Sequence, residues 1–409
     1  MNAPNGWRVA PIADVTVKPV KSDPATTGRE TIRYVDIGLL GGPVSRLDDA
    51  PEIPSIDAPS RCRQVIMGGD TLYSTVRPYL RKVAFVGDRL DHQFASTGYS
   101  VLRPMRDIHP KFLYLFTLSQ AFEDSLFPLQ KGVSYPAVLD KEVRSRPIWF
   151  PPLPEQRRIV ETVEEQMAHL DAADASLASV ERRVIAWREG ALEHLIWHTG
   201  ADTVSVGDVL REPMRNGRSD RAVSGGEGTR ALTLTAVTKR SFTEQYTKIT
   251  STPAKVVRDL WLEPGDILVQ RSNTPDLVGT CARYQGPREW AIFPDLLIRL
   301  RPDESRMRSD FLELALRSRR AHKTLRSKAK GLAGSMPKID QAAVASTLVP
   351  CPPPENQLTL ASKAHDILEQ SEASLIAIEK SRLRSAALRR AVLATAFSGR
   401  LTRNHRSEG

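Results

Sequence analysis

The second half of the chain repeats the first at an offset of about two hundred residues, and this repeat limits the possible fold more than any other feature. Several landmarks recur in one order. They are Gly69-Asp70-Thr71-Leu72 and Gly265-Asp266-Ile267-Leu268, Leu102-Arg103-Pro104 and Leu300-Arg301-Pro302, Lys111–Leu115 and Asp310–Leu314, Lys131-Gly132 and Lys330-Gly331, and the proline clusters at 150–156 and 351–357. Because 409 residues exceed the usual length of one domain, the repeat predicts two large units.

After each proline cluster the pattern becomes that of one long helix. Proline is tolerated at a first helical turn but not in the interior, and neither segment contains an internal proline. The predicted helices run from Glu155 to about Trp197 and from about Glu355 to Phe397, with Gly399 as a terminating cap. Apolar residues recur at steps typical of a helical stripe. They are Val163, Met167, Leu170, Leu177, Val180, Val184, Trp187, Ala191 and Leu195, then Ala364, Leu368, Leu375, Ile378, Leu388, Val392 and Ala396.

A helix of this length makes a rod of roughly 60 Å, which cannot bury its apolar stripe in one small domain. We therefore expect the two helices to pack along each other as an antiparallel coiled coil. The alternative is that each helix lies flat on its own domain. Polar residues on the seams, such as Asp174 and Ser385, leave that alternative open.

The segments before the helices have the short apolar runs and turn signals of mixed α/β domains. Strands are predicted at 82–86, 267–270 and 296–300, and helices at 112–122 and 311–325. The predicted fold class is thus α+β, with two similar mixed α/β domains separated by two long helices packed as an antiparallel coiled coil, in a pseudo-two-fold internal repeat. The expected boundaries are a first domain at 1–153, helices at 154–198 and 353–398, a second domain at 199–352, and a C-terminal tail at 399–409.

Composition and charge indicate the cellular compartment and the kind of partner that this protein binds. Lys and Arg outnumber Asp and Glu by 58 to 48, and the net charge of +10 favours a polyanionic partner, although a merely solvated basic surface is the alternative. The cysteines Cys62, Cys281 and Cys351 are far apart and predict no disulfide. No apolar run is long enough to span a membrane, and residues 1–10 lack the pattern of a secretory signal. We expect a cytoplasmic protein.

Motifs of common catalytic chemistries are missing from the sequence. No Gly is followed by Lys, so there is no P-loop, and no Lys follows an acidic residue by two positions, as a metal-dependent nuclease motif requires. The tetrapeptide of amino-methyltransferases is also missing. His194 and His198 are four residues apart near a helix end, where a solvated surface is the simpler interpretation than a metal site. The sequence predicts no catalytic residue and no bound metal.

Basic and hydroxyl-bearing loops occur at equivalent places in both repeats, and they suit DNA. Arg can bind guanine through two hydrogen bonds, Asn and Gln can bind adenine, and Ser, Thr and Lys can bind phosphate. For any single residue, a solvated loop is the alternative. The candidate DNA-binding residues are Thr75, Arg77, Arg81, Lys82, Lys131, Ser134 and Tyr135 in the first half, and Gln270, Arg271, Ser272, Asn273, Lys330, Ser335 and Lys338 in the second.

The stretch from Leu314 to Lys330 carries seven basic residues and no acid. Its equivalent, Leu115 to Lys131, carries Glu123, Asp124 and one Lys. The two halves therefore share a scaffold but differ in surface charge, as readers of different DNA targets would. A helix made basic for solubility is the alternative.

With these motifs the chain resembles the specificity subunit of Type I restriction-modification systems. The resemblance is carried by three segments: the helix opening Pro151–Val160, Gly265–Leu268 in the second half, and Ala396–Leu401 at the close of the second helix. The second helix opening departs from the pattern. There, Pro354-Glu355-Asn356-Gln357 is interpreted as carrying an extra residue between Glu and Gln.

The resemblance implies two target-recognition domains, each reading one half of an interrupted, asymmetric DNA site, with the paired helices as a ruler. It also implies two modification subunits that bring S-adenosylmethionine and methylate adenine at N6, and restriction subunits that use ATP and Mg²⁺. No cofactor is then expected on this chain. Two other classes remain to be tested: a coiled-coil scaffold with incidental DNA affinity, and an enzyme with a hidden nuclease or transferase site.

Overall fold

A computed structural model of the chain describes residues 3–130, 136–223, 228–331 and 336–401. The chain forms two compact units, residues 1–177 with 379–409 and residues 178–378. Each unit contains one mixed α/β region together with part of both long helices. Among the described residues, no helix combines the length and the apolarity that crossing a bilayer requires.

The first unit is built from short strands around a few helices. Its strands are β1 Arg8–Pro11, β2 Thr16–Val17, β3 Thr31–Val35, β4 Val44–Leu47, β5 Glu52–Pro54, β6 Cys62–Ile66, β7 Thr71–Ser74, β8 Val83–Val86, β9 Gln93–Ser96, β10 Tyr99–Pro104 and β11 Pro147–Phe150. Its helices are α1 Ile12–Val15, α2 Pro110–Thr117, α3 Gln120–Leu126, α4 Asp140–Arg144 and the start of α5 Leu153–Trp197.

The second unit contains fewer strands. They are β12 Thr203–Ser205, β13 Arg215–Asn216, β14 Thr229–Leu232, β15 Thr247–Thr250, β16 Ile267–Gln270, β17 Cys281–Arg283, β18 Leu297–Leu300 and β19 Leu348–Pro350. The helices are α6 Leu234–Lys239, α7 Ser309–Arg317, α8 Arg319–Ser327, α9 Gln341–Ala345 and α10 Pro354–Phe397, which ends in the first unit. The strands predicted at 82–86, 267–270 and 296–300 are confirmed as β8, β16 and β18.

Both units share one sheet order, which explains the sequence repeat. The first has the order β2-β10-β7-β8-β4 and the second the order β13-β18-β16-β17. A separate antiparallel pair, β1 with β11 or β12 with β19, joins the beginning and end of each α/β region. The first unit adds a sheet of order β5-β3-β9-β6, whereas the described residues of the second unit add the pair β14 and β15. The fold is thus a repeated framework with different additions.

The Gly-Asp and Arg-Pro landmarks of the repeat form one buried ion pair in each unit. Arg103 donates from Nε to Asp70 Oδ1 at 2.9 Å and from Nη2 to Oδ2 at 2.8 Å. Arg301 makes the same two hydrogen bonds to Asp266, at 2.7 and 3.1 Å. Burial raises the pKa of Asp70, and Arg103 opposes that rise. These landmarks therefore join neighbouring strands rather than face a ligand.

A buried glutamine fixes the start of each long helix. Gln156 accepts a hydrogen bond from His109 N at 2.8 Å, and its Nε2 donates to Asp107 O and Pro151 O, both at 2.9 Å. Gln357 makes the same three bonds, to Arg308 N, Arg306 O and Pro352 O, at 2.8, 2.9 and 2.7 Å. The two glutamines are therefore equivalent, and the extra residue inferred in the second helix opening is wrong. The second repeat has Pro-Glu-Asn where the first has Leu-Pro-Glu.

The two long helices pack together, as predicted, and their seam repeats every seven residues. On α10 the positions Ala364, Ser371, Ile378 and Ser385 are all buried at this spacing. In the first unit Arg389 of α10 donates to Asp174 of α5 at 2.8 Å and forms an ion pair with Asp171, also at 2.8 Å. The ends that meet there are the start of α5 and the end of α10, so the helices run antiparallel.

Three apolar residues assigned to the seam are solvent-exposed. Val180 and Trp187 on α5 are 36% and 49% exposed, and Leu388 on α10 is 54% exposed. The adjacent residues Glu181, Arg188 and Arg389 are instead only partly exposed. Positions at a strict seven-residue spacing face the partner helix whether their side chains are apolar or polar. The seam is therefore more polar than the sequence pattern predicted.

The helices predicted at 112–122 and 311–325 are each divided into two. The first of these ends as α2 at Thr117, and Ser119 then accepts a hydrogen bond on Oγ from Phe122 N at 3.3 Å, capping α3. Ser318 caps α8 through Ala321 N in the same way. Serine competes with the helical backbone for hydrogen bonds, which explains the break at these two positions.

The end of α10 is anchored in the core of the first unit by one aromatic residue. The ring centroid of Phe397 is 5.3 Å from that of Phe112 and 5.2 Å from that of Phe116, both edge-on. The backbone oxygen of Phe397 also accepts a hydrogen bond from Trp149 Nε1 at 2.9 Å. Stability of the helix end thus depends on the packing of the α/β region.

We predict that Phe397→Ala lowers the free energy of unfolding by about 3–5 kcal/mol, because it leaves a cavity among buried aromatic rings. Urea denaturation followed by far-UV circular dichroism measures the change. Leu388→Ala, on the same helix but 54% exposed, is the control and should change stability little. Equal losses for the two variants would contradict the anchoring role of Phe397.

We predict that Arg103→Met costs about 3–5 kcal/mol of stability, since it leaves Asp70, which is 1% exposed, without its partner. The double variant Arg103→Met with Asp70→Leu should recover much of that loss, because no charge then stays buried. Urea denaturation of the three proteins measures both effects. Failure of the double variant to recover would show that packing, not charge burial, dominates at this pair.

Candidate nucleic-acid interface

In the first unit the loop after β7 lies beside the chain that leads into α4. Val138 N donates to Thr75 O at 2.9 Å, and Arg77 N donates to Pro136 O at 2.7 Å. Val76 and Ala137 form an isolated antiparallel bridge. The structure therefore brings the loop that carries Thr75, Arg77, Arg81 and Lys82 next to residues 136–138, which come just after the candidates Lys131, Ser134 and Tyr135 in the sequence.

The tip of this loop has a strained backbone. Arg77 and Arg81 have φ angles of 50° and 49°, in the left-handed region that non-glycine residues rarely adopt. They flank the 3₁₀ turn Pro78–Leu80, in which Tyr79 is 49% exposed. Such strain is typical of functional loops. Sequence reasoning did not select Tyr79, yet an exposed aromatic ring between two arginines is suited to stacking on a base.

Three other candidates of this loop already have partners within the protein. Arg81 forms an ion pair with Glu123 and donates to Gln120 Oε1 at 2.8 Å. Thr75 is 9% exposed, and its hydroxyl donates to Gly98 O at 2.8 Å. Lys82 Nζ donates to Ile37 O at 3.3 Å. These contacts shape the loop, and any DNA contact by these side chains would compete with them.

The second unit repeats this arrangement. Ile339 N donates to Arg271 O at 2.9 Å, and Ser272 and Lys338 form an isolated antiparallel bridge. Arg271 thus takes the place of Thr75, and Ser272 that of Val76. Ser272 is 2% exposed and, like Thr75, faces the protein interior. Arg271 is partly exposed, and its Nε is buried without a hydrogen-bond partner among the described residues.

Gln270 is fully buried and supports the loop that carries Arg271, Ser272 and Asn273. Its Nε2 donates to Thr238 Oγ1 at 2.8 Å, and its Oε1 accepts from Asn273 Nδ2 at 2.5 Å. Asn273 Oδ1 in turn accepts from Thr274 N at 2.8 Å. Gln270 therefore positions Asn273. The sequence did not indicate this role, because the partner Thr238 lies on α6, a helix that was not predicted.

Lys330 and Lys338 lie directly opposite each other in an isolated antiparallel bridge. Lys330 N donates to Lys338 O at 2.8 Å, and Lys338 N donates to Lys330 O at 2.9 Å. Both residues are exposed, and the nearest carboxylate of Asp340 is 4.0 Å from Lys330 Nζ. Like charges in such a pair destabilise it, so this arrangement is suited to an anion bound between the two lysines.

Four predicted DNA-binding residues lie outside the described residues: Lys131, Ser134, Tyr135 and Ser335. The described residues that flank these four in the sequence lie at the loops discussed above. For these four residues the assignment stays a prediction.

The basic stretch of the second half forms α8 and its flanks, and several of its charges are paired. Arg317 contacts Glu313 at 3.6 Å and Arg326 contacts Asp276 at 3.2 Å. Arg320 stacks over the Trp197 ring at 4.5 Å. Arg319 and Lys323 are exposed and have no ion-pair partner within the described part of the chain. The excess positive charge is thus smaller than the composition indicated.

The described residues contain no group of three or more His, Cys, Asp or Glu side chains that could hold a metal. His194 and His198 stack with ring centroids 4.5 Å apart at the exposed end of α5. Burial raises the pKa of Cys281 to about 12 and that of Cys62 to about 11, so neither thiol is poised as a nucleophile.

Comparison with known proteins finds relatives that are DNA specificity subunits. Residues 4–181 match a family model described as the Type I restriction modification DNA specificity domain. The chain is 23% identical to the EcoKI specificity subunit of Escherichia coli K12, over 75% of this chain and 69% of that one. It is 24% identical to the StySPI specificity subunit of Salmonella potsdam, with the same coverage of both chains.

Solved structures extend the match to the whole fold. A chain from a structure on complex assembly and conformational transition of the type I R-M system has a TM-score of 0.80 and 27% identity, covering 98% of this chain and 100% of that one. The HsdS subunit of Thermoanaerobacter tengcongensis has a TM-score of 0.57 and 27% identity, with 98% of both chains covered. Residues 4–181 belong to the DNA specificity domain family of Type I restriction-modification systems, and the whole chain has the fold of a Type I specificity subunit. In Type I enzymes the specificity subunit is the non-catalytic component that recognises DNA sequence.

For this specificity subunit we predict that Lys330→Ala combined with Lys338→Ala weakens DNA binding and lowers the slope of log K against log salt by about 2, because two phosphate contacts are lost. Fluorescence anisotropy over a salt series measures both quantities. Lys255→Ala, an exposed lysine of the same unit away from these loops, is the control. An unchanged slope in the double variant would exclude these lysines from phosphate contact.

Proposed function

We propose that residues 1–153 and 199–352 are two target-recognition domains, each reading one half of a bipartite, asymmetric DNA site. The observation that carries this proposal is a shared framework with different loops. The same hydrogen bonds join β7 and β16 to the chain ahead of α4 and α9, while Thr75-Val76-Arg77 in one unit is replaced by Arg271-Ser272-Asn273 in the other. A shared framework with different contact residues suits one chain that recognises two unlike half-sites.

We further propose that helices 154–198 and 353–398 set the distance between the half-sites, much as dimer geometry sets the spacing of operator half-sites. The likeness to a chain studied for type I complex assembly supports docking of two modification subunits, with restriction subunits as further partners. S-adenosylmethionine, ATP and Mg²⁺ then belong to those partners, and the reactions directed are adenine N6 methylation and restriction. The complex works in the cytoplasm, where chromosomal DNA is found.

Methylome sequencing tests the proposal. A host that expresses this chain with its modification subunits should show N6-methyladenine in a two-part motif with a fixed gap. Replacing residues 1–153 by the matching domain of a relative should change one part of the motif and leave the other part and the gap intact. A continuous motif, or a change in both parts, would contradict the assignment of one domain to each half-site.

We predict that Arg271→Ala weakens recognition of one half-site only, by about 1–3 kcal/mol if the guanidinium contacts a base. Arg77→Ala, at the corresponding loop of the other unit, should weaken only the other half-site. Competition binding with duplexes altered in either half measures the two effects separately. Equal loss against both altered duplexes would show that Arg271 contacts the phosphate backbone instead.

A further inference from the structure

A chain of side-chain hydrogen bonds in the second unit joins α6 to the loop that carries Asn273. Gln270 Nε2 donates to Thr238 Oγ1 at 2.8 Å and to Leu234 O at 3.4 Å. Gln270 Oε1 accepts from Asn273 Nδ2 at 2.5 Å, and Asn273 Oδ1 accepts from Thr274 N at 2.8 Å. Two amides in series thus connect a helix to a loop residue that is a candidate for DNA contact.

Backbone groups at the two ends of this chain determine which way both amides point. A carbonyl oxygen can only accept a hydrogen bond, so Leu234 O faces the nitrogen of the Gln270 amide. A backbone N–H can only donate, so Thr274 N faces the oxygen of the Asn273 amide. The two assignments agree, because they leave the oxygen of Gln270 facing the nitrogen of Asn273. A flip of either amide would bring like groups together.

The supports of this hydrogen-bond chain belong to the folded framework. At the end of β16 the N–H of Gln270 donates to Thr280 O at 2.8 Å, and its carbonyl accepts from Gly279 N at 2.9 Å. On α6 the side chain of Val237 is fully buried, in the same apolar cluster as Leu268 of β16. Side chains mounted on a strand and a packed helix position a contact residue more precisely than a loop alone can.

Asn273 retains the hydrogen-bonding groups that recognition of adenine requires. Its Nδ2 has two hydrogens and its Oδ1 has two lone pairs, and the described residues use one of each. The side chain is partly exposed. In the major groove adenine presents an acceptor, N7, beside a donor, N6, and an asparagine amide matches this pair. Guanine presents two acceptors there, so its O6 would face Oδ1 of Asn273 without a hydrogen between them.

The first unit has a different arrangement at the matching place. Ser74 ends β7 as Gln270 ends β16, and its Oγ donates to Val76 O at 2.9 Å, within its own loop. Arg77 takes the place of Asn273 in the repeat. The orienting amide therefore belongs to the second repeat, as expected if it serves one half-site only.

We propose that Asn273 recognises one adenine of the half-site read by residues 199–352, and that Gln270 is the residue that positions Asn273 for this contact. Nδ2 of Asn273 donates to N7 of the adenine, and Oδ1 accepts from its N6 amino group. Gln270 is fully buried and touches no base itself. This role deepens the proposed function and depends on it, since residues 199–352 must first be the reader of one half-site.

Duplexes altered at single adenines test the contact. The relevant half-site is the part of the methylome motif that stays unchanged when residues 1–153 are replaced. Each of its adenines, except the methylated one, which must leave the duplex for its reaction, is replaced by 7-deazaadenine or by guanine with its pairing base. The first change removes the N7 acceptor, and the second replaces the N6 donor by an acceptor.

Competition binding uses the full chain with its modification subunits. We expect one adenine at which either change weakens binding about fivefold or more, and at which both changes have little effect once Asn273→Ala is present. Asn356→Ala, at an exposed asparagine on the first turn of α10, is the control and should respond like the unmodified chain.

Variants of the supporting residues separate positioning from general stability. Gln270→Met keeps the length of the side chain but removes both amide groups, and it should abolish discrimination at that adenine while leaving discrimination at the other positions of both half-sites intact. Thr238→Val, at an exposed position, should lower the same discrimination, and Thr238→Ser, which keeps the hydroxyl, should restore it. Circular dichroism verifies that the variants fold.

Three results would overturn the proposal. They are a half-site in which no adenine responds to 7-deazaadenine, a response that persists in Asn273→Ala, and a loss of discrimination at all positions in Gln270→Met. None of them would affect the half-site assignment, because the two-part methylation motif of the unmodified chain tests that assignment separately.

Discussion

The architecture depends on three hydrogen bonds from one buried glutamine at the start of each long helix. Gln156 and Gln357 each form hydrogen bonds with one backbone N–H and two backbone carbonyl groups outside the regular secondary structure. Buried backbone groups of this kind need such partners. This contact fixes the direction in which a helix of more than forty residues leaves its α/β region. Because the rod is long, a small change in angle at its start would be magnified along its length.

The sequence predicted the long helices, the repeated α/β regions and the loops of the candidate interface, because each has a local signal. The sequence pattern placed Val180 and Trp187 on the seam, because apolar character was the only signal available. The seam instead follows a strict seven-residue spacing and includes Glu181 and Arg188. It also missed the role of Gln270. A buried amide that supports Asn273 is visible only when the partner on a distant segment is known.

The two units show how a duplicated framework can diverge in chemistry without losing its fold. The ion pair of Asp70 with Arg103 and that of Asp266 with Arg301 are retained in the same geometry. Positions outside this framework differ between the repeats: Leu118 in the first unit corresponds to Arg317 in the second. The retained interactions are those that join neighbouring strands.

The opposed lysines at 330 and 338 have a consequence for the response of the protein to salt. In the unliganded protein their repulsion opposes the two backbone hydrogen bonds that join Lys330 and Lys338, and added salt screens that repulsion and favours the pairing. A bound polyanion would relieve the same repulsion directly, and added salt would then weaken its binding. Ionic strength therefore acts with opposite sign on the stability of this lysine pair and on its affinity for an anion, so the pair should be most stable under conditions in which its ligand is held least tightly.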